Sequence, residues 1–298
     1  MRQLATSPKI AQLLRRDFLS LVVACAALVS TIAVTKAEAP PRPNVLIADD
    51  RSWPHASSPG DSAINPRALL DSKLVAAQDP HVVVTGRQVR RIEGWTVLIS
   101  EGLLKDQAEA TERAIELLTA HLKEIIRVVP AAAVTHLQTV PLWISPEYPN
   151  VRPRAEYHPN VNWLRDNGRD PLLAKGVEFT NVRIFEAETK RMPVFVLHEL
   201  AHAYHDQVLG FENAEIKAAY EHAKASGKYD KVERFNAPGR SDTFERAYAM
   251  ANDREYFAEC TEAFFGRNDW FPFDRAQLAE QDPEMLKLLR KLWQVSDE

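Results

Sequence analysis

Cysteine is almost absent from the 298-residue chain, which has only Cys25 and Cys260. Cys25 lies in an N-terminal apolar run, leaving Cys260 alone for a mature domain. An internal disulfide and a cysteine-based zinc site are therefore excluded. There is no excess of basic charge. With a formal net charge of −4, nucleic acid is not an indicated partner. Nor is there a long hydrophobic stretch: the uncharged run from Phe18 to Val34 is short for a membrane span, and no stable span is expected in the mature form. No internal repeat is evident, and the length suffices for a substantial core in one domain or two.

Residues 1–39 read as a signal peptide. Arg2, Lys9, Arg15 and Arg16 precede the uncharged run, and Ala37-Glu38-Ala39 follows it, with cleavage open after either Ala37 or Ala39. Arg15-Arg16-Asp17-Phe18-Leu19 resembles a bacterial twin-arginine export signal, which implies translocation of a folded protein. An uncleaved anchor is the alternative, and Val22-Val23-Ala24-Cys25 loosely resembles a lipoprotein cleavage site. All three readings place the protein outside the cytoplasm, as a periplasmic, extracellular or cell-surface protein of a bacterium.

Residues 40–80 are rich in Pro, Ser, Ala and Asp with little periodicity, as in a linker. Within them, Arg42-Pro43-Asn44-Val45-Leu46-Ile47-Ala48-Asp49-Asp50, followed by Trp53-Pro54-His55, resembles the opening strand and metal-binding Asp pair of sulfatases. The C/S-x-P-S-R motif that supplies the sulfatase nucleophile is missing, so the stretch with Asp49 and Asp50 reads as a remnant or a chance splice of coding sequence, and no sulfatase activity is assigned.

From residue 81 onward the pattern is that of a folded domain, 81–298. His81–Thr85 and Trp95–Ile99 read as strands around a charged turn at Gly86–Gly94. Leu103 to Val129 carries apolar residues at helical spacing, Ile126 among them, and Pro130 ends it. Val140–Ile144 is a short strand, and Ser145–Pro171 a long loop suited to a cleft wall, with His158 inside it. Val177–Glu186 alternates on one side, slipping once near Asn181, as expected of an edge strand that holds an extended peptide. A helix from Asn213 to Ser226, a surface loop over Gly227–Thr243, and a final helix over Pro283–Val295 complete the expectation.

The chemistry concentrates in Met192–Gln207, which contains His198-Glu199-Leu200-Ala201-His202. On a helix, residues four apart share a face, so His198 and His202 are placed to hold one zinc ion while Glu199 handles the proton of a water beside it. A third protein ligand is expected, with one position open. The short H-E-x-x-H-x-x-G-x-x-H scheme needs glycine at 205 and histidine at 208. The chain has His205 and Val208, so that class is rejected, and His205 lies off the ligand face. Asn252 is a good N-cap for a helix over Asp253–Phe265, on which Glu255 and Glu259 share a face. Carboxylates beside Tyr256, Phe257, Phe264 and Phe265 are costly to bury unless a metal neutralises them. Glu255 is the favoured ligand, with Glu259 one turn on to orient an imidazole. Solvent-facing carboxylates near a helix N-terminus are the alternative.

Tyr248-Ala-Met-Ala-Asn252-Asp-Arg-Glu255-Tyr256-Phe257-Ala258-Glu259 resembles the segment that follows the H-E-x-x-H helix in the catalytic domain of anthrax toxin lethal factor and its bacterial relatives, zinc peptidases of gluzincin type. The resemblance implies His198, His202 and Glu255 as zinc ligands, Glu199 as general base, Tyr248 as the hydroxyl that meets the transition state, and Glu259 as the carboxylate behind a ligand. It implies an α+β, zincin-like metallopeptidase fold, with a small mixed sheet packed on the active-site helix and a C-terminal helical part. The substrate implied is a peptide or protein. Nothing in the chain resembles the toxin's receptor-docking domain. The alternative function is a catalytically degenerate zinc-containing binding or cell-surface domain, against which the intact Glu199 argues.

Overall fold

The computed structural model describes residues 86–296. The export segment, the sulfatase-like stretch with Asp49 and Asp50, and the strand expected over His81–Thr85 lie outside the described residues.

Two strands open the domain, β1 (Arg87–Ile92) and β2 (Trp95–Ser100), paired antiparallel with Ile92 opposite Trp95. The segment expected to be a charged turn is therefore mostly strand. Only Glu93 and Gly94 turn, at φ 50° and 91°, and two successive positive φ values make the two-residue connection that matches strand twist. The arginines of β1 belong to an edge strand, where charge discourages further pairing.

Helix α1 (Glu101–Asp106) and helix α2 (Ala108–Val128) replace the single helix expected from Leu103 onward. Gln107 leaves helical geometry between them, at φ −137° and ψ 40°. Leu103, Ala114 and Ile125 are all buried and lie about three turns apart in sequence, so the apolar spacing stays in phase across the break. Ile126 is not on the buried stripe and is 42% exposed. After α3 (Ala131–Leu137) come β3 (Leu142–Ile144), β4 (Ala155–Tyr157), α4 (Val161–Asp166) and β5 (Val177–Phe179).

The five strands form one mixed sheet in the order β1-β2-β3-β5-β4, with β2, β3 and β5 parallel and the two outer strands antiparallel to their neighbours. Val97, Ile99, Leu142, Ile144, Val177 and Phe179 join the main core, whereas Leu98 and Trp143 join a smaller cluster with Leu164, Leu173 and Ala174. This division follows from the period of two along a strand.

The sequence predicts an edge strand over Val177–Glu186. The sheet order corrects this, because β5 is flanked by β3 and β4, and Val182–Ile184 forms a 3-10 turn. Among the described residues the outer strand on this side of the sheet is β4, inside the stretch read as a loop. Its three residues are too few to show alternation, and the proline-rich sequence before them hides it.

Helix α5 (Phe185–Arg191) leads to α6 (Phe195–Tyr204), all of whose residues are buried, and a π-helical turn over His205–Leu209 extends it. Helix α7 (Ala214–Ser226) starts under the Asn213 side chain, which accepts from the N–H groups of Glu215 and Ile216. The region expected as a surface loop contributes β6 (Val232–Arg234), paired with β7 (Thr243–Glu245). The 3-10 turn Tyr248–Met250 then precedes α8 (Asp253–Phe265), which packs on α6. Helices α9 (Arg275–Gln281) and α10 (Pro283–Leu292) close the domain, and Trp293 stacks on Tyr204 at 4.2 Å. Among the described residues no helix is long and apolar enough to cross a membrane.

Candidate metal centre

Helices α6 and α8 bring the metal-type ligands together. On α6, His198 and His202 stand one turn apart with rings nearly perpendicular, at 82°. On α8, the Asn252 carboxamide oxygen accepts from the N–H groups of Arg254 and Glu255, which fixes the first turn and so the place of Glu255. His202 and Glu255 are fully buried.

The three ligand atoms form a small triangle. Nε2 of His198 is 3.1 Å from Nε2 of His202 and 3.1 Å from Oε2 of Glu255, and the third side is 3.3 Å. A tetrahedral zinc site with ligands at about 2.0–2.1 Å has edges of roughly 3.3–3.4 Å, so the triangle matches one face of such a site. Two nitrogens and a carboxylate are a fitting donor set for zinc, and the three side chains offer one ligand atom each.

The other ring nitrogen of His198 is also partnered. Nδ1 of His198 lies 2.7 Å from Oε1 of Glu262 and 3.6 Å from Oε1 of Glu259. An imidazole that ligates through Nε2 carries its proton on Nδ1, and Glu262 stands where that proton is donated. Glu259, the residue expected for this task, sits farther away. Glu262 lies two turns from Glu255 on the same helix face, one turn beyond the expected Glu259.

The surrounding charges are consistent with a cation at this place. Burial works against a charge on His198, but Glu255 and Glu262 outweigh it and raise its pKa well above the usual value. Burial, reinforced by Glu262, pushes the Glu259 carboxyl up. Behind Glu262, Arg191 donates to Asp269 at 2.9 Å, and burial still lifts the Asp269 carboxyl to about 6.

Glu199 is 6% exposed beside the triangle and takes no part in it. Its Oε2 accepts from the main-chain N–H of Tyr157 at 2.9 Å, which ties it to the edge strand β4. Tyr248 is half-buried in the turn directly before α8.

Two other histidines have separate surroundings. His205 is fully buried with both ring nitrogens unpartnered, packed near Phe211 and Phe257, and burial lowers its pKa to about 3. It is a core residue outside the ligand triangle. His158 is buried on the far side of β4, 3.1 Å from Glu178, which also accepts from Tyr148 at 2.9 Å.

The arrangement is consistent with a zincin-like metallopeptidase domain. The chain matches no known protein family, and comparison with curated proteins and with solved structures found no significant similarity. The assignment to a zincin-type architecture therefore stands on the small mixed sheet, the two helices and the His/His/Glu cluster that they carry.

Proposed function

We propose that the protein is a zinc-dependent endopeptidase with Glu199 as its general base. The observation that carries the reading is the position of Glu199, between two histidines whose Nε2 atoms converge with Glu255 and bonded to β4, the outer strand of the sheet. A purely structural metal site has no need of a buried carboxylate between its ligands.

His198, His202 and Glu255 would hold a zinc ion, which would supply Lewis-acid chemistry, polarising a carbonyl and lowering the pKa of water. The Glu199 carboxylate accepts a proton and returns it to the leaving amine nitrogen. Tyr248 is proposed to donate its hydroxyl proton in a hydrogen bond to the developing oxyanion. The Tyr248 assignment draws on the resemblance to lethal factor-type peptidases, as does the peptide substrate.

The edge of β4 favours an extended peptide over a compact molecule. Arg154 O accepts from Thr180 N and His158 N donates to Gly176 O, so the main-chain groups of these alternate residues face β5. By the same alternation those of Ala155 face away from β5, on the side of β4 that pairs with no strand among the described residues, where a peptide strand would gain hydrogen bonds independent of its sequence. The N-terminal segment supports an exported location. Metal analysis of the purified full chain, paired with digestion of a mixed peptide library, tests the reading: zinc near one per chain with peptide cleavage supports it, and zinc without cleavage favours the degenerate binding domain.

A further inference from the structure

Tyr157 ends β4 and touches the active-site helix twice. Its main-chain N–H donates to Glu199 Oε2 at 2.9 Å, and its phenol donates to Asp206 Oδ2 at 2.6 Å. Glu199 and Asp206 are two turns apart and so face the same way, which lets one strand residue meet both. Asp206 lies in the π-helical turn that extends α6, and the next residue of that turn, Gln207, donates to the same phenol oxygen at 3.0 Å. Lys175 makes an ion pair with Asp206 from the segment leading into β5. Its backbone is left-handed, at φ 62°, and its N–H donates to His158 O at 2.6 Å. The end of β4 is thus fastened to α6 by a phenol, a carboxylate and an ammonium, with Tyr157 itself 1% exposed.

This fastening bears on the chemistry because the hydrogen bond to Glu199 comes from the backbone. Where the strand goes, the N–H goes, and with it the direction in which the Glu199 carboxylate points. We propose that Tyr157, held by Asp206 and Lys175, is a positioning residue that orients the general base by clamping β4 to the active-site helix. The inference rests on the peptidase reading above. Its substance is a division of labour within one residue: the phenol carries the clamp and the amide delivers its effect.

Tyr157→Phe removes only the hydroxyl. In the full-length, zinc-loaded chain it is expected to lower kcat roughly 10- to 100-fold while KM stays within about twofold and zinc content is unchanged, since misplacement of a reacting group acts on turnover. Hydrogen exchange gives a readout independent of activity. The amide of residue 157 should lose protection by about tenfold or more, approaching its behaviour in Glu199→Ala, whereas the His158 amide, bonded to Gly176 across the sheet at 3.0 Å, should keep its rate. Asp206→Ala leaves Tyr157 in place and should give the same pattern, so it carries the comparison if Tyr157→Phe does not fold. An unchanged residue-157 amide, equal acceleration of the 157 and 158 amides, or a raised KM with unchanged kcat would each overturn the proposal. If the unaltered chain cleaves no peptide, the peptidase reading falls, and the exchange comparison alone decides the clamp.

Discussion

Nδ1 of His198 is 2.7 Å from Glu262 Oε1, closer by 0.9 Å than the 3.6 Å to Glu259 Oε1. The shorter contact is of hydrogen-bonding length and the longer one is not. It makes Glu262 the group that holds His198 in the tautomer able to ligate through Nε2.

Replacing Glu262 with Gln should therefore weaken zinc binding about 10- to 100-fold, as for loss of a carboxylate behind a ligating imidazole. Glu259→Gln should cost less. Competition against a zinc-sensitive chelating dye measures both, and an equal or reversed order would return the role to Glu259.

The ligand triangle predicts a sharper contrast between Glu255 and His205. Glu255→Ala removes one of three ligands and should release the metal under mild chelation. His205→Ala leaves the triangle intact and should retain zinc, at a cost in stability from the emptied aromatic pocket. Metal content after dialysis against chelator decides the matter, and equal retention in the two variants would contradict the assignment.

Tyr248→Phe should reduce turnover by about 10²- to 10³-fold with zinc content unchanged, the usual consequence of losing one oxyanion donor. A variant that unfolds instead would make Tyr248 a packing residue. Thermal melting and metal content, measured beside turnover, separate the two.

A stability prediction comes from His121, which is not part of the His/His/Glu cluster. Burial lowers its pKa to about 4, its Nε2 lies 3.1 Å from Thr189 Oγ1, and Phe195 packs near its ring. The unfolded chain takes up a proton at this residue near pH 6.5, the folded chain only near 4, so folding stability is fully present above 6.5 and falls as pH drops towards 4. The difference amounts to roughly 3 kcal/mol. His121→Leu should show a shallower loss of denaturation midpoint across that window than the unaltered chain at equal metal content. Parallel curves would show that His121 does not titrate in this way.

Legibility in the sequence depended on how local each signal was. Asn252 and Gly266 delimit α8 as expected, because a cap and a stop act within a turn of the residues that encode them. Glu255 is read as a ligand for a related reason: a buried carboxylate on an apolar helix demands a partner. The His/Glu/His spacing is equally local, being one turn of one helix. Pairing order is not legible locally: the alternation of β5 reads as an edge but says nothing about its neighbours. Strand β4, at three residues, is too short to show alternation. The burial of Glu262 depends on α8 packing against α6, so only its seven-residue offset from Glu255 is a signal in the sequence.

Glu199 is proposed to move the proton in a zinc peptidase. The most direct test of that role compares peptide hydrolysis by the full chain and by Glu199→Gln, each with its zinc content measured on the same sample. Equal zinc in both is expected, with cleavage by the unaltered chain and a loss of at least about 10²-fold in kcat for the variant, as for removal of a general base. Equal cleavage rates at equal zinc would contradict that role.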